Sequence, residues 1–553
     1  MNESAYKIQP GSVCRVPYEL GGFGGKLMSD LAREGSYAEQ LFFPRQSWRE
    51  VVARIETRTS YPRAELSHTL EQRATELGAP ETSLKNSRKL AQKNTFAIVT
   101  GQQAGFLGGP LYSLYKALTA IKLAREYENE ANGAAKFVPV FWVAGDDHDL
   151  AEIDHTHFLS ADGRVVRVGA PLDGDYRGRS ACDVFLTRNE MERGRVSKEL
   201  QPYLNDGFLN AILKNYEGRS FESAFAQVLL QWLGAEGIVV ALSSDLRKFA
   251  GGILARDVAE FERHADAVRR AGEAMGAAGY EPGFSESLRI APHFFVAQTP
   301  LRIRTPINVD RRDGERRFTA IDAFEQPLTA DQLRDRVLRE PELFSASAAL
   351  RPIVQQIVFP CVATVLGPGE VAYWAQLREM HAHYGAVWPV IVPRATLTLV
   401  DAAGEKAARK LGLAETPQEI FRSKDEMVGR IIHDGKLSAK LTSQRNEMLA
   451  KFDAMRIEIQ AAGAGVDSML DKVRAKLNFQ LSRVLDRAVR AVDQRGEAKV
   501  ARAAYLSALV RPKNSPQERV LCAAQFMAKY PDLPRRLLEI IEPDIREHLI
   551  VTL

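Results

Sequence analysis

Cysteine is scarce. The 553 residues contain four, Cys14, Cys182, Cys361 and Cys522, far apart and with no CxxC pair. That suggests neither a disulfide framework nor a cysteine zinc site, and fits buried free thiols in a reducing compartment. Long hydrophobic runs are also missing: no uninterrupted apolar stretch approaches the roughly 18 residues of a membrane span, and "MNESAYKIQPGSVCRVPYEL" has no apolar h-region. A cytoplasmic protein with no membrane partner is expected. Neither sign of charge dominates. Seventy-four basic and 70 acidic residues leave a formal +4, no footprint of nucleic-acid binding but compatible with small anionic substrates. Hydrophobic residues at 45% and charged residues at 26% exclude collagen-like and disordered classes. The length exceeds one core, so two or three units are expected.

The pattern from about 45 to 95 is helical and polar, and then the texture changes. "TFAIVT" (95–100) reads as a short strand ending at a glycine loop, "PLYSLYKALTAIKLAREY" (110–127) as a helix, and "KFVPVFWVAGDDHD" (136–149) as a second buried strand ending in acids. Strand, loop, helix, strand is a βαβ unit of a parallel sheet. Pro110 suits the first turn of that helix. "GAEGIVVALSSD" (234–245) and "VWPVIVPR" (387–394) supply further strands. Segments near 160–230 and 251–345 read as insertions, the second with a hairpin closed at Asp313-Gly314. The expected α/β core spans 1–400. Beyond it, 401–505 reads as a helical coiled-coil hairpin and 506–553 as a helical tail. In that hairpin Leu470, Val473, Leu477, Leu481, Val484, Ala488 and Ala491 recur at three-and-four spacing, "LTSQRNEMLAKFDAMRIEIQ" (441–460) is the antiparallel partner, and "AAGAG" (461–465) is the turn. Exposed seam residues could build a homodimer.

Three stretches carry candidate chemistry. "VTGQQAGFLGGPLYSLYK" (99–116) is neither a Walker A loop nor a GxGxxG. It is either a tight turn or an anion site formed by N–H groups at a helix start, with Gly101, Gly108 and Gly109 for close approach and Gln102 and Gln103 as amide donors. Lys116 is either a solvated surface lysine or a phosphate contact. "GDDHDLAEIDHTH" (145–157) gathers Asp146, Asp147, His148, Asp149, Asp154, His155 and His157, a set able to hold a divalent metal or to act as general acid and base. The dense run Asp147, His148, Asp149 is assigned to catalysis, and His155 and His157 to structure. In "RPIVQQIVFPCVATVLGPGEVAYWAQL" (351–377), Glu370 sits in a helix's first turn, where capping is its simplest role. Tyr373 lines a pocket or fills a core.

These segments, with "VPRATLTLV" (392–400) and "QERVL" (517–521), resemble one family, the bacillithiol biosynthesis cysteine-adding enzymes, or cysteine ligases of the BshC family. One departure is visible: where the resemblance leads us to expect Ser-Glu-Asp-His-Asp, this chain has "GDDHD", with Gly145 and Asp146 replacing the first two. The resemblance implies a Rossmann-like parallel-sheet core with insertions, related to class I aminoacyl-tRNA synthetases, and a C-terminal coiled-coil domain. It implies a ligase joining the cysteine carboxyl to the amine of glucosaminyl-malate, the last step of bacillithiol synthesis. The relatives' nucleotide signature at the start of the first helix would fall at "GGPLY" (108–112), which includes Tyr112; no HIGH or KMSKS run occurs. By the same analogy Arg394 stands near the second signature's place.

Condensing a carboxylate with an amine in water is unfavourable, so activation by ATP, yielding AMP or ADP, is expected, with Mg²⁺ and no structural metal. Lys116 or Arg394 with the helix-start N–H groups would stabilise phosphate charge. Asp147, His148 or Asp149 would orient the sugar amine and take its proton, while Gly369, Glu370 and Tyr373 would hold substrate. Two other classes stay open: a metal-dependent hydrolase using the Asp146–His157 block, and a nucleotide-binding scaffold protein.

Overall fold

The computed structural model describes residues 7–553 except 23–24, 34, 59–60, 285–289, 298, 300–302, 313–314, 432–435, 464, 493–495 and 544–546. Five strands form an all-parallel sheet: β1 (Thr95–Gln102), β2 (Lys136–Val143), β3 (Val239–Leu242), β4 (Cys361–Leu366) and β5 (Val390–Pro393). Their spatial order is 3-2-1-4-5. The chain begins in the middle, winds outward through β2 and β3, and returns to lay β4 against the free side of β1. Such a reversal opens a crevice outside the carboxyl ends of the two strands, here β1 and β4.

The strand sequences suit burial on both faces. In β2, Val138, Val140 and Trp142 enter one core and Phe141 and Val143 another, which is why the run is apolar without alternation. The same continuity concealed β4. It lies inside an apolar stretch after Pro360 that has no period to mark it, although it pairs with both β1 and β5. Helix α1 (Leu111–Ala131) fills the β1–β2 crossover. Pro110 is its N-cap, with ψ 156°, and so stands one step before the expected first-turn position.

The crossover from β2 to β3 ends in α2 (Phe221–Leu233); the second insertion opens with the long α3 (Gly251–Ala277) and includes an antiparallel pair, Asn308–Arg312 with Glu315–Thr319. The expected turn at Asp313-Gly314 lies outside the described residues. Helix α4 (Arg351–Val358) leads into β4, and α5 (Pro368–Ala375) leaves it.

Helices α6 (Lys436–Ala461) and α7 (Asp467–Val492) form the hairpin. Gln460 bonds Asp467, Arg456 pairs with Asp471 and Arg474 with Asp453, and Arg445 bonds Ser482, so partners move down one helix as they move up the other. The seam is narrower than expected: Leu470 is buried and Leu477 and Leu481 half-buried, but Val473 and Val484 face solvent. The side chains of Ala488 and Ala491 lie outside the described set.

The tail does not stay with the hairpin. His548–Thr552 pairs antiparallel with Val13–Val16 and parallel with Leu397–Val400, a small sheet uniting both ends of the chain. The four thiols are free, three of them buried. Among the described residues no helix is long and apolar enough to cross a membrane.

Candidate active site

The glycine block is packed by protein. A Cβ on Gly101 would lie 2.7 Å from the Trp142 carbonyl on the neighbouring strand. Gly108, at φ +87°, lies against the Trp232 ring with no room for a side chain. The tail closes what remains: Leu111 N–H, the first donor of α1, bonds Leu521 O at 3.0 Å, and Ala523 N–H bonds Gly109 O at 3.1 Å. The expectation of an anion cradle at Gly108 and Gly109 is therefore corrected. Both glycines are buried, and that helix start already has its acceptor.

Further along α1, Lys116 is 2% exposed, which overturns the surface reading. Its ammonium donates to Gly101 O and Gln102 Oε1, each at 2.7 Å, and pairs with Glu370. Burial pulls its pKa below the ordinary lysine value, against the opposing pull of Glu370. Glu370 also accepts from Gly367 N–H at 2.8 Å, the capping role read from the sequence. Gly369 is exposed in that first turn, with open space where a side chain would stand. Arg394 is buried beside Gly367, and Glu518 of the tail takes its Nη2 at 2.6 Å. Burial works against its charge, but Glu518 outweighs it and holds the pKa above the usual value. Its Nε is buried without a hydrogen-bond partner.

A polar rim runs from these groups across the carboxyl ends of β4, β1 and β2. Arg351, on α4, donates to Tyr373 OH at 3.0 Å. Gln102 reaches Tyr112 OH at 3.3 Å, and Gln103 donates to Asp147 Oδ2 at 2.6 Å. Burial pushes Tyr112 and Tyr373 each up to about 12, so both phenols stay neutral donors at pH 7. The two glutamine amides are engaged with protein rather than aimed at an anion.

The acidic block divides. Asp146 is tied to the buried Arg247, with Nε at 2.8 Å, and its N–H bonds Ser243 Oγ. Asp147 is partly exposed, and His148 and Asp149 are exposed at the mouth. Burial, with Arg304 beside it, holds His148 below the usual histidine range, leaving it a neutral base at pH 7. His155 bonds Asp154 at 2.8 Å, and His157 meets Lys513 at 2.6 Å. Among the described residues the block gathers no three ligand atoms around a point, so the hydrolase metal reading finds no site there.

Sequence reasoning missed Arg304, Arg351 and Glu222. Arg304 reaches the mouth from the second insertion: Nη1 lies 3.4 Å from His148 Nδ1, and the guanidinium stacks 3.9 Å over Phe295. Neither Arg304 nor Arg351 has a carboxylate within ion-pair range among the described residues; their hydrogen bonds go to neutral groups, Ser345, Ala346 O and His148 for Arg304 and Gln355 and Tyr373 for Arg351. Arg351 opens the quoted "RPIVQQ" run; Arg304 has no local signal, since its contact spans 156 residues.

A reversed parallel sheet with a cleft at its switch point and an appended helical hairpin is a Rossmann-like α/β protein with a coiled-coil domain. The chain belongs to the bacillithiol biosynthesis BshC family: the family's N-terminal Rossmann-like domain matches residues 24–395 and its C-terminal coiled-coil domain 397–553. Among similar proteins, one of Geobacillus thermodenitrificans, named "Putative cysteine ligase BshC", is 29% identical over 92% of this chain and 93% of its own length. Proteins of the same name from Anoxybacillus flavithermus and Geobacillus kaustophilus are 28% and 29% identical, over 92% and 90% of this chain and 94% and 92% of theirs.

Proposed function

We propose that this protein is a cysteine ligase, joining the carboxyl of cysteine to the amine of glucosaminyl-malate at the end of bacillithiol synthesis. The observation that carries the reading is the polar rim at the β1–β4 reversal, in a chain of this family. Asp147, held by Gln103, accepts a hydrogen bond from the incoming amine and orients it. His148, neutral and at the mouth, takes the amine proton as the new C–N bond forms and the bond from the cysteine carbonyl carbon to its activating phosphate oxygen breaks, the phosphate group leaving with that bond's electron pair. Arg304 and Arg351 suit the malate carboxylates.

ATP supplies the activation that the cysteine carboxyl lacks. The groups fitting its phosphates are the buried Arg394, with an orphaned Nε, and the exposed first turn of α5 at Gly369. The pair Lys116–Glu370 sets that turn in place beneath them. The hairpin also presents Met448, Met455, Ile457, Met469 and Phe479 to solvent, apolar surface that suits a second copy of the chain.

Mass spectrometry of the protein incubated with cysteine, glucosaminyl-malate and magnesium ATP tests the reading. The expected result is the thiol product with stoichiometric AMP or ADP. Nucleotide binding with no product from a folded protein would instead indicate a scaffold, and light scattering would report the dimer.

A further inference from the structure

Away from the cleft, α3 carries Asp257 and His264 two turns apart on one face, both fully buried. His293, just before the strand Phe294–Val296, and Tyr384, ending the helix Arg378–Tyr384, complete a cluster around them. One ligand atom from each of Asp257, His264 and His293 lies within 4.8 Å of the others. Three groups crowd a single carboxylate oxygen, Asp257 Oδ1: His264 Nδ1 at 2.9 Å, His293 Nδ1 at 3.0 Å and Tyr384 OH at 3.3 Å. That oxygen has two lone pairs, so as pure hydrogen bonding the arrangement is one donor in excess.

The far sides of the rings conflict as well. His264 Nε2 and Glu260 Oε2 are both buried without a hydrogen-bond partner, 3.6 Å apart. With the proton of a neutral His264 on Nδ1, the Nε2 lone pair faces a lone pair of the Glu260 carboxylate, which is part-exposed and flanked by Arg256 at 3.1 Å and Arg263 at 3.6 Å. A cation bound by Nδ1 moves the proton to Nε2, where it points at Glu260, and both orphans gain a partner. A carboxylate behind a ligating imidazole is the usual outer support of a metal site.

We propose that Asp257, His264 and His293 bind a zinc-class divalent cation, with the Tyr384 hydroxyl as fourth ligand. Tyr384 OH lies 3.4 Å from His264 Nδ1, so the contacts measured span 2.9 to 3.4 Å. Tetrahedral ligands at about 2.0–2.1 Å from zinc stand about 3.3 Å apart. Two imidazoles and one carboxylate are donors that zinc accepts, and the burial of all four residues makes the site structural. It fastens α3 to two later segments of the sheet domain, departing from the expectation of no structural metal.

The test uses the full-length, tag-free chain, stripped with a chelator and titrated with zinc alone, with metal per chain measured by mass spectrometry after gel filtration. One zinc per chain is expected, with tetrahedral visible bands when cobalt replaces it. H264Q and H293Q, followed by circular dichroism, are expected to abolish the bound equivalent. Should either fail to fold, Y384F keeps the core filled and is expected to weaken zinc by more than about tenfold. A folded wild-type chain that retains no zinc, as a protonated His264 bridging Asp257 and Glu260 would give, overturns the proposal. So does zinc held equally by wild type and every folded variant.

Discussion

The Glu222 carboxyl occupies the space that a side chain on Gly145 would need. Glu222, on α2, is 1% exposed and accepts hydrogen bonds from Ser243 Oγ at 2.9 Å and Ser244 Oγ at 2.5 Å. Ser243 Oγ in turn accepts the Asp146 N–H, so Glu222 braces the acidic loop from behind. The glycine at the head of "GDDHD", where the resemblance called for serine, makes room for this brace. G145S is expected to destabilise the chain by about 1–3 kcal/mol through overpacking. Adding E222A should recover most of the loss; urea denaturation of both variants checks the coupling.

Glu222 also makes stability depend on pH. Burial first, and then the Asp146 charge, raise its pKa from 4.5 to about 7. The folded protein therefore keeps a proton that the unfolded chain releases, and the contribution is present below about pH 4.5 and lost as pH rises through about 7. Urea midpoints measured from pH 5 to 8 should fall less steeply in E222Q than in wild type. Parallel curves would assign the slope to other groups.

Lys116 and Glu370 share a buried ion pair under the first turn of α5. Replacing one member leaves the other charge uncompensated, so K116M is expected to cost about 3–5 kcal/mol. The double variant K116M/E370Q should cost clearly less than K116M alone. Equal losses would mean that the lysine matters for packing and not for charge.

For catalysis, D147N, which disturbs the orientation of the amine, is expected to lower kcat about 10²-fold with the fold retained. In the wild type the acid limb of the kcat profile should fall below about pH 6.5, because His148 must be neutral and its pKa is lowered. R304M removes a neighbouring positive charge and should move that limb to higher pH. An unmoved limb would take His148 out of the base role.

The sequence disclosed the parts of this molecule whose signals are local. β1, β2, α1 and the helical hairpin each carry their own period or run, and Glu370 caps a helix three residues away, within reach of inspection. What it concealed depends on distant chain. β4 has no alternation because both faces are covered, and Lys116 reads like any helix lysine until β1 and α5 close around it. The glycines suggested a phosphate loop because close approach of backbone to ligand and of backbone to tryptophan use the same residue. Glu222 and Arg304 had no sequence signal, since each acts on a loop far away along the chain.

The tail's bonds to the core have a consequence for how the protein is made. Leu521 closes the start of α1, Glu518 holds Arg394, and His548–Thr552 links Val13–Val16 to Leu397–Val400. Synthesis proceeds from the N-terminus at about 5–20 residues per second, and earlier segments fold as they emerge. The cleft residues thus leave the ribosome long before the partners that complete them. A nascent chain halted within the hairpin has the residues of the β1–β4 rim but lacks Glu518 and Leu521, so the cleft is completed only after those two have emerged.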